Sequence, residues 1–338
     1  MIRVVYISLH SIIQRTSGHQ LPYVMNKVTL IQLSETHLGE VIKRPSQYCK
    51  TPYVADVTLN NDNDNDNDND NDNDNDNDND NDNDNNTAQI IGHSPSLGCC
   101  GLADKGSTVI MTKLTDTNTN KKRVCSHTIQ LAVSSDGVNS IVIGINPKLG
   151  ETIAEQSLIN NCIFNLTNIQ SYHREVTIMN SRFDFAGKDS DGKPFVLEIK
   201  SVPLADYVDV PKKDRHLYED LAKTVPFDQK ISYFPDGYRK KSTDVVSPRA
   251  LKHIQELEQI AVTSRGSVRA ILCFIVQRDD VKQFQTSNID LTYKDAVYQA
   301  YKNGVEIKTI QVKWNTSGKC VFVRNDLPIS LSRDGSYI

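Results

Sequence analysis

The stretch Ser181–Val202, SRFDFAGKDSDGKPFVLEIKSV, holds two strand-like pieces around a polar turn. The first piece carries Asp184; the second carries Glu198 and Lys200 among Phe195, Val196, Leu197, Ile199 and Val202. Side chains alternate across a strand, so Glu198 and Lys200 share one face and Ile199 takes the other. Pairing of the two pieces through GKDSDGK brings Asp184 alongside Glu198. Charged groups inside an apolar strand are costly to bury, and two carboxylates a few ångströms apart repel unless a cation lies between them. Mg²⁺ or Mn²⁺ suits such oxygen ligands, with Asp184, Glu198 and the backbone carbonyl of Ile199 as the expected set. A lysine beside them can orient or deprotonate a water, or neutralise charge developing on phosphate. An Asp, thirteen intervening residues and Glu-x-Lys is thus the composition of metal-assisted phosphodiester hydrolysis. Glu-x-Lys by itself also reads as a solvated ion pair on an exposed strand.

Working outward from the hairpin, the second half of the chain reads as an α/β domain with a mixed sheet. KLGETIAEQSLI before it has helical character and carries Glu155. After it, SPRALKHIQELEQIAV repeats Leu251, Ile254, Leu257 and Ile260 at helical spacing, with Ser247 as the expected N-cap and Pro248 at the first helical position. VRAILCFIVQ is a near-continuous apolar run, the pattern of a strand buried on both faces. YKDAVYQAYKNG predicts a helix ending at Gly304, and VEIKTIQVKW another strand. Between Lys27 and Asn146 lie several short β-type runs separated by turn signals, which predict a small β-barrel or sandwich.

From Asn61 to Asn86 the chain is an Asn-Asp alternation with twelve aspartates and no apolar residue. Such a tract cannot bury surface to offset the entropy of ordering, so it is expected to be a disordered insertion at a hairpin tip. It also hides the charge of the rest. The whole chain has 38 Lys+Arg against 42 Asp+Glu and a net charge of -4; without the twelve aspartates the balance is +8. A moderately basic body suits a polyanionic partner. Seven cysteines without a C-x-x-C pair suggest neither a zinc site nor a disulfide framework, and suit a reducing compartment. No apolar run approaches the ~20 residues that span a bilayer, so no membrane partner is expected. The first 34 residues contain no acid. That composition resembles an organellar transit peptide, but a plain unstructured extension over residues 1–26 is the preferred reading, with an intracellular location, cytoplasmic or nuclear.

The blocks SRFDF, VLEIKSV, YFPDG, PRALKHIQEL, RAILCFIVQRDD and GVEI, preceded by VIKRPSQ, YVADVTL, HSPSLGCCGL, KGSTVIM and INPKLGETIAE, closely resemble the sugar fermentation stimulation protein family. The resemblance covers about residues 27–330, interrupted by the Asn-Asp tract and by a charged insertion at about 206–230. It implies an α+β, multidomain protein: an OB-fold-like β-barrel over 27–147, then an α/β PD-(D/E)xK nuclease-like domain over 148–338. It implies a nucleic-acid-binding protein, with DNA as the expected partner and RNA as the alternative. By position, Asp184 is the metal-binding aspartate, Glu198 the second acid, Lys200 the lysine and Glu155 the helix acid that completes the site. The inserted loop is expected to gate access.

Further candidates surround this set. Asp236 in YFPDG is a possible extra metal ligand, although Pro-Asp-Gly is first of all a good turn. Arg249 and His253, with Lys252 beside them, lie on one polar helix face that can meet a phosphate backbone or stay solvated. Arg182 is a further cationic candidate in the hairpin. Lys43, Arg44, Tyr48 and His93 combine charge and rings as single-strand-binding OB-folds do, against the alternative of an ordinary loop with a surface tyrosine. The leading expectation is a divalent-metal-dependent nuclease. The alternatives are a non-catalytic DNA-binding regulator, for instance of sugar metabolism, and an interaction protein whose basic body binds an acidic partner.

Overall fold

A computed structural model describes residues 28–59, 88–96, 101–114, 124–332 apart from 236, 238–240, 242 and 243, and residue 337. The Asn-Asp tract, the 1–26 extension, Asp236 and Cys99–Cys100 lie outside the described residues. In chain order the strands before the first helix are β1 (Thr29–Gln32), β2 (Thr36–Lys43), β3 (Val54–Leu59), β4 (Gln89–His93), β5 (Thr108–Lys113), β6 (His127–Ser135) and β7 (Ser140–Gly144). Helix α1 (Pro147–Ile159) then leads to β8 (Ser171–Ile178), β9 (Ser181–Lys188), β10 (Pro194–Val202) and the short β11 (Ala205–Asp206). A one-turn helix α2 (Leu221–Thr224) precedes β12 (Lys230–Phe234), α3 (Pro248–Ser264), β13 (Arg269–Val276), β14 (Val281–Thr286) and α4 (Leu291–Lys302). The chain closes with β15 (Glu306–Trp314), β16 (Lys319–Arg324) and β17 (Ile329–Ser330).

The protein is mixed α/β around a 13-stranded sheet, with a second sheet in the order β11-β12-β14-β17. At the N-terminal end, β2 pairs with β3 and β5, β3 with β4, and β5 with β6. β4 closes the circuit on β6 through the parallel pairs Gly92–His127 and His93–Thr128. Val41, Val57, Met111, Ile129 and Ile143 form a core of this part's own. β7 carries the sheet onward by pairing Val142 with Trp314 of β15. At that joint Gly144 donates its N–H to Gln277 O at 3.1 Å. A Cβ on Gly144 would lie 1.9 Å from Gln277 Oε1 and 2.7 Å from Trp314 Nε1, so a larger residue there would have to displace both side chains.

β10, β13 and β15 run parallel at the centre of the C-terminal part, with β9 and then β8 antiparallel at its edge. Alternation sorts their side chains. Phe195, Leu197, Ile199, Ile271, Cys273 and Ile275 pack on α1, whereas Val196, Val202, Ala270, Leu272, Phe274 and Val276 pack on α3 and α4. Because each residue of β13 from Ala270 to Val276 meets a helix-covered face, that run has to be apolar. Glu198 and Lys200 fall in the even series and so enter the face that α3 and α4 cover. α3 starts where the sequence predicts, with Ser247 Oγ accepting the Ala250 N–H at 3.3 Å and Pro248 in the first turn.

Two expectations change. β1, grouped by sequence with the N-terminal strands, pairs with β16 instead and buries Leu30 in the α1-side core. The strand's partner is set by where its one buried leucine finds apolar surface, which no local pattern records. The 206–230 insertion is more than a loop: it contains β11, α2 and 3₁₀ turns at Lys212–Tyr218 and Phe227–Gln229. Asp209 anchors it from within, accepting from Gln285 Nε2, Ser287 Oγ and the Asn288 N–H at 2.6–2.7 Å. Phe227 packs on the N-terminal core, so the insertion also bridges the two parts.

Candidate functional site

The β9–β10 ladder pairs Pro194 with Lys188 through to Leu197 with Phe185, and stops there. At that point the Asp184 side chain takes the place of a backbone acceptor: the Ile199 N–H donates to its Oδ2 at 2.7 Å. Asp184 and Glu198 are therefore neighbours, as the hairpin reading requires. Burial, and then the charge of Glu198, push the Asp184 carboxyl up to about 6, against the opposing pull of the Ile199 N–H and Lys200.

Glu198 is 2% exposed. Its Oε1 receives both Lys200 Nζ and His253 Nδ1 in short contacts. Burial alone would raise this carboxyl, but Lys200 and His253 together bring it below the ordinary glutamate value. Glu198 stays ionised while its neighbour Asp184 titrates, which is how a carboxylate pair divides a shared site. Glu198 Oε2 is buried and has no hydrogen-bond partner among the described residues. An ionised oxygen left in that state is costly and asks for a positive partner.

The site residues expected from sequence fare unequally. Asp184, Glu198, Lys200 and Ile199 come together. Glu155 does not join them: it accepts from Tyr172 Oη at 3.2 Å and from Arg174 at 2.6 Å, both on β8. The helix acid whose charge acts on Asp184 is Glu151, one turn earlier on α1. Helical spacing puts Glu151 and Glu155 on one face, and Arg174 of β8 lies against both, 3.5 Å from Glu151 and 2.6 Å from Glu155. His253 is no surface phosphate contact. It is 4% exposed, carried by α3 onto Glu198, with its ring 5.8 Å from that of Phe183. Glu256, three residues on, is buried as well. The polar face of α3 is thus divided: His253 turns inward onto Glu198 of β10 and Glu256 is buried, whereas Arg249 and Lys252 stay exposed. Tyr293 of α4, for which the sequence carried no signal, is fully buried near Glu198; burial and that charge raise its phenol well above the ordinary value.

Of the cationic candidates, Arg182 is exposed and 3.4 Å from Glu175, and Arg249 is exposed in the first turn of α3. Lys252 donates to Asn180 O and lies 3.8 Å from Glu256. On the N-terminal part, Lys43 and Tyr48 are exposed. Arg44 is committed to structure, donating to Pro52 O at 2.8 Å and Ser96 O at 2.6 Å. Those bonds join the loop carrying Tyr48 to the loop after His93. Burial and the charge of Lys148 hold the His93 ring below its ordinary value. One face of α1 therefore looks both ways, Lys148 toward His93 and Glu151 toward Asp184.

The described residues hold no group of three or more His, Cys, Asp or Glu side chains converging as metal ligands. What they offer is the Asp184–Glu198 pair. It fits a hard divalent cation that keeps part of its water shell, and the partnerless Glu198 Oε2 together with the raised Asp184 carboxyl is what a pair built for such a cation shows without it. The described cysteines are free thiols. No helix among the described residues is long and apolar enough to cross a membrane.

Fold and site together define a mixed α/β protein whose sheet presents a half-buried Asp–Glu–Lys cluster, with Glu198 fully buried, where the β9–β10 ladder stops. The sugar fermentation stimulation protein RE domain model matches residues 148–318, and the chain belongs to that family. A sugar fermentation stimulation protein homolog of Shewanella halifaxensis is 30% identical over 191 residues, 56% of this chain and 66% of the relative. One from Clostridium perfringens is 28% identical over 221 residues, 65% of this chain and 78% of the relative. The solved structure of Pyrococcus furiosus SfsA in complex with Ca²⁺ shares the fold, with a TM-score of 0.62 at 16% identity, over 90% of this chain and 99% of that one.

Proposed function

We propose that the protein binds nucleic acid, DNA in the first instance, and that the β9–β10 hairpin is a divalent-metal-dependent phosphodiesterase site of the PD-(D/E)xK kind. The observation that carries this reading is the pairing of Asp184, lifted to about 6, with an ionised Glu198 whose Oε2 is buried and partnerless among the described residues. Mg²⁺ or Mn²⁺ would be held by Asp184, Glu198 and the Ile199 carbonyl; the Ca²⁺ complex of the P. furiosus protein supports a divalent cation in this fold. Bound there, the ion would supply charge neutralisation and a more acidic water. The chain's own groups do the rest. Ile199 holds Asp184 in place, Glu198 keeps its negative charge, and Lys200 stands beside them as the cation that can meet charge developing on a phosphate.

The N-terminal circuit of strands, five in number with one parallel closure, is read as an OB-fold, and its Lys43–Tyr48 and His93 loops as a surface for a nucleic-acid strand. Lys148 and Glu151 on one face of α1 link that surface to the hairpin. Cleavage assays with Mg²⁺ and Mn²⁺ on single- and double-stranded DNA and RNA, with Asp184→Ala as control, test the proposal. Cleavage by the wild-type chain and none by the variant is expected; equal products from both would refute it.

A further inference from the structure

Among the described residues Glu198 takes two donors on one oxygen and none on the other, and the two donors differ in kind. Lys200 lies two residues along the same strand, with a flexible four-carbon stem and three rotatable donors. His253 lies 55 residues further along the chain on α3, a rigid ring fixed by its helix and packed on Phe183. Its side chain is 5% exposed against 12% for Lys200. A carboxylate only accepts, so the Nδ1 that meets ionised Glu198 carries the proton. In the cleavage reading Lys200 has to turn from Glu198 toward phosphate. With Lys200 as its sole donor, Glu198 would be left a buried, uncompensated charge, free to rotate away from Asp184.

We infer that His253 is a positioning residue: it braces Glu198 Oε1 permanently, keeps the carboxylate beside Asp184, and so frees Lys200 to leave during turnover. The inference rests on the metal-site reading above and assigns α3 a part in it. Partners that orient a ligating side chain without touching the metal typically change metal affinity or activity by about 10- to 100-fold when removed. The two donors to Oε1 should therefore separate in their effects. Loss of His253 should weaken cation binding, and loss of Lys200 should slow the chemistry.

The experiment is calorimetric titration of Mn²⁺ into the full chain, wild type, His253→Ala, His253→Asn and Lys200→Ala, with kcat and KM at saturating Mn²⁺. His253→Ala should weaken Mn²⁺ binding by about 10- to 100-fold. His253→Asn, which keeps an N–H donor near the place of Nδ1, should return it to within about threefold of wild type on the same scale. Lys200→Ala should leave Mn²⁺ affinity nearly unchanged and lower kcat without raising KM. Should His253→Ala fail to fold, His253→Phe takes its place, since it keeps a ring against Phe183 and removes only the donor. Wild-type Mn²⁺ binding that the Ala or Phe variant leaves intact overturns the brace alone, as does an Asn variant as impaired as Phe. Absence of Mn²⁺ binding in the wild type, matched by Asp184→Ala, removes the cation site and the brace with it.

Discussion

The backbone N–H of Ile199 donates to Asp184 Oδ2 at 2.7 Å, where the β9–β10 ladder stops. That bond ties the first acid to the strand that carries the second. Asp184 is thereby fixed where burial, and then the neighbouring charge of Glu198, raises its carboxyl.

A pH dependence follows from the value of about 6 for Asp184 against 3.8 ordinarily. The folded protein holds this proton more tightly than the unfolded chain does. The contribution to stability is full below the ordinary carboxylate value and is lost as pH climbs through about 6. The difference corresponds to about 3 kcal/mol. Asp184→Asn keeps an acceptor for Ile199 and removes the charge, so it should match wild type near pH 4 and exceed it at pH 8 in urea unfolding. A constant difference between the two across that range would count against the coupling.

Divalent cation should reverse that penalty. Millimolar Mn²⁺ or Ca²⁺ is expected to raise the wild-type melting temperature at pH 8, because an ion that binds only the folded state stabilises it. At pH 4 to 5, where Asp184 is protonated, the rise should shrink, and Asp184→Asn should show little at either pH. Thermal melts with and without chelator measure this.

Lys200→Ala leaves Glu198 buried without its lysine counter-charge, with only the His253 contact on Oε1. Breaking a buried pair in this way costs on the order of 3 kcal/mol. Glu198 is held below its ordinary value, so its contribution is present above that value and fades as pH falls. The loss in Lys200→Ala should therefore be larger at pH 7 than at pH 4, as read by the shift in urea midpoint. Equal losses at both would contradict the assigned ion pair.

Nucleic-acid affinity should fall steeply with salt, since phosphate contacts release counterions. Deleting residues 61–86 removes twelve aspartates from a body otherwise at +8. Binding in fluorescence anisotropy should then strengthen or stay level; weakening would show that the tract contributes contacts of its own.

Asp209 accepts three hydrogen bonds from the Gln285–Asn288 segment while 8% exposed. Asp209→Ala strands those donors, at a cost on the order of 3 kcal/mol. The damage should be local, with limited proteolysis cutting between residues 206 and 230 before the central sheet opens. Uniform resistance would mean that Phe227 and Lys230 hold the insertion unaided.

Much of this architecture was legible locally. Alternation along Pro194–Val202 put Glu198 and Lys200 on one face, an unbroken apolar run marked β13 as central, and Ser247-Pro248 marked the start of α3. Each is a pattern of period two or 3.6, or a cap, set by covalent geometry within a few residues. The insertion at 206–230 was legible only as an interruption, because it is anchored through Asp209 by Gln285, Ser287 and the Asn288 N–H, more than seventy residues on.

The sequence by itself determined that an aspartate and a Glu-x-Lys pair would share a hairpin, and that Asp184 would lie beside Glu198. Only the tertiary structure decided what surrounds them. The sequence reading named Glu155 as the helix acid, whereas Glu155 is held by Tyr172 and Arg174 on β8 and the α1 acid whose charge acts on Asp184 is Glu151. Helical spacing let the polar face of α3 be solvated, yet His253 is buried because it meets Glu198 on the sheet beneath. β1 left the N-terminal strands for β16 on the strength of one buried leucine. In each case the choice lies between partners tens or hundreds of residues apart, and it is made by burial and charge pairing, whose energies exist only once the elements have packed.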